Sequence, residues 1–109
     1  MSKFNNLIDA LKKFRDERDW EQFHNPKDLA LAINVEAGEL LELFLWKHVG
    51  EENKVKVKEE LADIFAFAIL LADKYGLDIE EVILEKIKKN GEKYPVDKAK
   101  GTAKKYDEL

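Results

Sequence analysis

Two long stretches of the chain repeat apolar residues at intervals of three and four, the period of a helix with one covered face. The pattern predicts an all-α protein, an antiparallel bundle of about four helices joined by short connections. A first helix is expected over residues 3–18, with Leu7, Leu11, Phe14 and Arg18 along one stripe. RDWEQFHNP then reads as a turn or loop, in which Asn25 caps a second helix beginning at Pro26. That helix is expected to reach about Lys47, where HVGEEN breaks it, and Asn53 caps a third helix ending near Tyr75 and Gly76. Asp78 followed by Glu81 is a capping-box-like pair, and Leu77 with Val82 is placed for a hydrophobic staple. A fourth helix is therefore expected over residues 79–90, with Gly91 as its stop. From about residue 92 the chain is polar, with room for one short turn of helix. There is no internal repeat and no β-alternation of useful length, so residues 1–109 read as a single domain.

The two central stripes carry an anomaly. With each helical residue turning about 100°, Leu29, Ala32, Ile33, Leu40 and Leu43 fall within about 60° of Glu36. Glu39 lies about 60° to one side, and Glu42 about 120° away, nearer the rim. On the third helix Val57, Ile64, Phe67 and Leu71 fall within about 60° of Glu60, with Asp63 about 60° off. Each helix thus carries an i,i+3 pair of acids on its covered side. Gly38, between Glu36 and Glu39, costs about 1 kcal/mol of helix stability relative to Ala, and can serve close helix approach or ligand access.

Carboxylates in an apolar setting must be paired, protonated or bound to a cation. Four acids on two facing helices offer hard oxygen ligands suited to Mg²⁺ or Mn²⁺. The competing reading is that Lys or Arg side chains reach in and neutralise them, as they do for surface acids such as Glu59, Glu80, Glu81 and Glu85. A carboxylate-bridged di-iron centre needs Glu-x-x-His on two helices, and the one such string, Glu21 to His24, falls in the expected loop beside Pro26.

Composition narrows the choice. There are no cysteines, which removes disulfides, thiolate chemistry and Cys-ligated metals. The net charge of -4 argues against non-specific nucleic-acid binding. Hydrophobic residues at 45% and charged residues at 39% fit a folded helical protein. The longest apolar run, IFAFAILLA, is nine residues, too short to cross a membrane. MSKFNNLIDALKKF lacks the features of a signal peptide, which outweighs the retention-like YDEL, and a cytoplasmic location is expected.

The acid pairs read EAGE and ELAD, Glu36 to Glu39 and Glu60 to Asp63, with 20 residues between them. Together with ERDWEQFHNPKDL, LFLWK and NGEKYPV, they make the chain resemble the MazG-like nucleotide pyrophosphohydrolases of the all-α NTP pyrophosphatase superfamily, most of all the small dCTP pyrophosphatase branch. The likeness covers residues 4–107. It implies hydrolysis of a nucleoside triphosphate, a dNTP, to the monophosphate and pyrophosphate by attack of water at the α-phosphorus. It implies Mg²⁺ on Glu36, Glu39, Glu60 and Asp63, with Glu36 or Glu39 acting on the water. Lys86, Asn90, Lys93 and Tyr94 match positions near the family's pocket and are expected to meet the phosphates; Lys47, which continues the stripe past Trp46, is placed to reach either a phosphate or the surface. Trp20, Phe23, His24, Trp46 and Phe67 match its base pocket, although the branch often has tyrosine where this chain has Phe67. The resemblance also implies a homo-oligomer, a tetramer in preference to a dimer, and a role in clearing unwanted nucleotides. A dUTP or phosphoribosyl-ATP type of the same superfamily, or a non-catalytic helical oligomerisation module, is the alternative.

Overall fold

The computed structural model describes residues 2–109. The order of elements is α1 (Lys3–Glu17), a 3-10 turn (Glu21–Phe23), α2 (Pro26–Glu42), α3 (Lys54–Lys74), α4 (Ile79–Lys93), α5 (Val96–Ala99) and a second 3-10 turn (Tyr106–Glu108). No strand occurs among the described residues. The chain divides into two compact units, residues 1–76 and 77–109.

Local chemistry sets most of the helix starts. The side chains of Ser2, Asn25, Asn53 and Asp78 each accept from a backbone N–H of the first turn that has no partner inside its helix. Asn25 accepts from Asp28 N at 2.9 Å, and Pro26 follows where no N–H is needed. Asp78 accepts from Glu81 N at 3.0 Å, which is the first half of the expected capping box. α3 ends through Tyr75, with Gly76 turning the chain at φ +64.

Two helix ends differ from expectation. α2 stops at Glu42, not Lys47; residues 43–46 form turns, and Trp46 has a φ of 62. The apolar spacing of Leu43, Phe44, Leu45 and Trp46 imitates another helical turn, and no glycine marks the left-handed exit. α4 passes through Gly91 to Lys93. The stop is Pro95, which biases the residue before it away from helical geometry; Tyr94 sits at φ -123, ψ 69.

In the first unit α2 packs along α3, and α1 packs against α3. The covered stripes are those the periodicity marked. Leu29 is buried and Ala32, Ile33, Glu36 and Leu40 are half-buried on α2, as is Leu43 at its C-cap; Val57, Glu60, Ile64, Phe67 and Leu71 are half-buried on α3. Gly38 does not serve a close helix crossing, because a Cβ there would meet nothing within 4 Å. Fully buried positions are few. Among the described residues Leu29 and Leu70 are the buried apolar ones, and Arg15 is the buried charged one. Many large apolar side chains stay open to solvent, among them Val35, Leu41, Trp46, Val55 and Phe65.

In the second unit α4 leads into a polar tail that makes one α-turn, α5, and one 3-10 turn. Tyr94 meets the ring of Tyr106 edge-on at 6.2 Å, and the Lys93 ammonium lies 4.9 Å from the centre of that ring. No helix of the described residues is long and apolar enough to cross a membrane.

Candidate active site

The α2–α3 packing brings three of the four expected acids together. One carboxylate oxygen each from Glu36, Glu60 and Asp63 lie within 4.8 Å of one another. Glu36 and Glu60 are half-buried and Asp63 is exposed. Glu39 is exposed and stands outside the triad, but its carboxylate still acts on Glu36. Glu39 and Glu60 border an open cleft of about 450 Å³, with Leu43, Lys56 and Glu59. Glu42 lines that cleft as well, so this rim acid keeps a place beside the cluster.

The electrostatics of the triad are unsettled by protein groups. Among the described residues, no Lys or Arg forms an ion pair with Glu36, Glu39, Glu60 or Asp63. The reading in which cationic side chains neutralise these acids therefore loses its geometric basis. Oε2 of Glu36 and Oε2 of Glu60 are enclosed and have no hydrogen-bond partner. Two ionised carboxylates offer only acceptors, so they can bond to each other only when one holds a proton. The Glu36 carboxyl is accordingly pushed up to about 7, first by the hydrogen bond it shares with Glu60, then by burial, then by Glu39 and Asp63. A proton or a divalent cation would each relieve this crowding. The donor set, oxygen only and of like charge, fits a hard cation such as Mg²⁺ or Mn²⁺.

Asp63 also borders a second space. A cavity of about 440 Å³ is walled by Leu11, Phe14 and Arg15 of α1, by Trp20 and His24, and by Asp63, Ala66, Phe67 and Leu70 of α3. Its rings are set edge to face, Phe14 to Trp20 at 5.8 Å and His24 to Phe67 at 6.3 Å. His24 is half-buried, and its Nδ1 is enclosed without a partner. Burial, then the charges of Arg15 and Lys74, lower its pKa and keep the ring neutral.

The other expected residues are placed differently. Trp20, His24 and Phe67 share this cavity, whereas Phe23, 61% exposed, is not among its walls. Trp46 and Lys47 lie beyond the end of α2 rather than on its stripe, and Trp46 is 94% exposed. Within the second unit Lys86 and Asn90 are four residues apart on α4, Lys93 is its last residue, and Tyr94 follows as the cap, donating to Asn90 O at 2.8 Å. Arg15 was not among the expected residues, yet its side chain is only 7% exposed. Its signal was available: it stands four residues after Leu11, so it shares the covered stripe. Arg18, expected on that stripe, instead lies over the outer face of Phe14 at 3.7 Å.

A helical bundle with a crowded carboxylate cluster beside an aromatic cavity defines a class, the all-α proteins of the MazG and NTP pyrophosphatase superfamily. The model of the MazG-like family matches residues 31–109, and the chain belongs to that family. A pyrophosphatase of known crystal structure from Archaeoglobus fulgidus DSM 4304 superposes with a TM-score of 0.81 at 36% identity, covering 87% of this chain and 94% of that one. The dCTP pyrophosphatase 1 of Homo sapiens is 39% identical over 105 residues and that of Bos taurus 40%, covering 89% of this chain in each case. The chain spans 62% of the length of these curated relatives.

Proposed function

We propose that the protein hydrolyses nucleoside triphosphates, preferentially a dNTP of the dCTP kind or a modified one, to the monophosphate and pyrophosphate. The observation that carries this reading is the convergence of Glu36, Glu60 and Asp63 within 4.8 Å without a protein cation to neutralise them. Such a cluster suits a metal-bridged triphosphate. Mg²⁺, when bound, would neutralise phosphate oxygens and polarise a water. Glu36, Glu60 and Asp63 would hold it, with Glu39 completing the shell or taking a proton from the attacking water. The neighbouring cavity, which shares Asp63 with the triad, offers the base the faces of Trp20, His24 and Phe67. The relatives named as pyrophosphatases support the reaction, and those named for dCTP support the substrate. A dUTP or phosphoribosyl-ATP type remains the second reading, since Phe67 offers no hydroxyl where a tyrosine would.

We further propose that the working form is a homo-oligomer, a tetramer in preference to a dimer. With Leu29 and Leu70 as the buried apolar residues, the single chain leaves side chains such as Leu41 (71% exposed) and Val55 (66% exposed) in need of cover. Sedimentation velocity measures this directly. For the chemistry, the purified protein is incubated with canonical and modified NTPs and dNTPs, with and without Mg²⁺, and the products are identified. Monophosphate and pyrophosphate, formed only with metal and lost in Glu39→Gln, are expected. Diphosphate and orthophosphate would mean a different bond is cut, and no turnover across the panel would overturn the reading.

A further inference from the structure

Arg15 is a buried cation, 5% exposed as a whole residue, on the wall of a largely apolar cavity whose other polar lining residues are His24 and Asp63. Its Nε donates to Asp16 Oδ1 at 2.8 Å, and one Nη approaches Glu21 Oε2 at 3.8 Å, beyond hydrogen-bond reach. Glu21 in turn meets Lys74 Nζ at 3.5 Å, which ties the 3-10 turn to the end of α3. The backbone holds the same corner, since Trp20 N donates to Arg15 O at 3.0 Å. The guanidinium is thus fixed in place, yet four of its five N–H groups lack a protein acceptor within hydrogen-bond range among the described residues. Unused donors on an immobilised cation are costly unless something accepts from them. Also on this wall are Nδ1 of His24, enclosed without a partner, and the carboxylate of Asp63.

We propose that Arg15 is a specificity-determining residue whose guanidinium donates to a carbonyl oxygen of the nucleobase held among Trp20, His24 and Phe67. This rests on the base-pocket reading above. A planar fork of donors rewards a base edge carrying an exocyclic oxygen, as in cytosine, uracil, thymine or guanine, and gives less to adenine, which has none. Because Asp16 and Glu21 restrain the fork before the base arrives, little ordering remains to be done on binding.

The test compares the wild type with Arg15→Gln and Arg15→Lys. For each, kcat/KM is measured for dCTP and for dATP, and the affinities of dCMP and dAMP are measured by calorimetry. The ratio of the two bases cancels any general loss of folded protein. Arg15→Gln is expected to lower the dCTP-to-dATP ratio by about 10- to 100-fold, the worth of a charge-assisted hydrogen bond, mainly through KM. Arg15→Lys should regain thermal stability but not the ratio, because an ammonium lacks the fork. Ratios unchanged in both variants, with activity falling alike on all bases in step with melting temperature, would make Arg15 a structural clamp and overturn the proposal. If the wild type turns over no triphosphate, the hydrolase reading fails by itself, and the dCMP-to-dAMP affinity ratio then decides for or against Arg15.

Discussion

Arg15 and Glu36 are both charged residues on the covered stripe of a helix, and the molecule treats them in opposite ways. Arg15 is provided for from within: Asp16 bonds it, Glu21 lies close, and Glu21 reaches on to Lys74. Glu36 is surrounded by Glu39, Glu60 and Asp63, acids that bond to it only when a proton is shared and oppose it when all are ionised. The first arrangement balances its charge without a ligand, although it leaves guanidinium donors unused. The second is consistent only with a proton or a cation added. Burial of charge alone therefore says little; the sign of what surrounds it separates a cation already balanced by the protein from a cluster that calls for one.

The contrast can be broken most sharply at Glu60. Glu60→Gln should cut turnover by about 1,000-fold, about 4 kcal/mol of barrier, while the metal-free protein melts no lower than wild type because a like-charge contact is relieved. Arg15→Met should do the reverse to stability, lowering it by about 1–3 kcal/mol in denaturant titrations as it leaves Asp16 and Glu21 without their cation. A melting temperature that drops in Glu60→Gln as it does in Arg15→Met would erase the distinction.

Acidity sharpens the comparison further. The Glu36 carboxyl, ordinarily at 4.5, is raised to about 7 in the folded chain. Between those values the folded state keeps a proton that the unfolded chain has released. The stability contributed is full below about 4.5 and is lost as the pH rises through about 7. The metal-free protein should therefore melt progressively lower across that window. Glu36→Gln should flatten the slope, and millimolar Mg²⁺ should raise the melting temperature most at its upper end. A slope that survives in Glu36→Gln would assign it to other groups. The smallest effect is expected at Glu21: Glu21→Gln should cost at most about 1 kcal/mol, since its contacts with Arg15 and Lys74 are long and its side chain is 60% exposed.

Much of this arrangement was legible in the chain because it is local. Asn25, Asn53 and Asp78 announce helix starts through hydrogen bonds made within three residues, and the covered stripes of α2 and α3 follow from angular arithmetic that needs no tertiary knowledge. That arithmetic also singled out Glu36, Glu60 and Asp63. It could not tell that Glu39, on the same flank, stays outside the triad, because this depends on how the two helices are turned against each other. The end of α2 was hidden by residues 43–46, whose spacing continues the pattern while the backbone leaves it. Gly91 misled for a related reason: glycine permits a stop without imposing one, whereas Pro95 constrains the residue before it. Arg15 keeps the four-residue spacing from Leu11 that marks the covered stripe, but how deeply it is buried depends on where α3 and the 3-10 turn pack against α1.

The same exit from α2 gives the protein an optical label. Trp46, turned outward at the end of the helix and 94% exposed, should emit as an indole in water, while Trp20, 43% exposed and packed edge-on to Phe14, should emit further to the blue. The two fluorophores then report on different events. Covering of the α2 end by another chain would shift the red component, and filling of the aromatic cavity would quench the blue one. With no third tryptophan to confuse them, assembly and occupancy can be followed separately in one unlabelled sample.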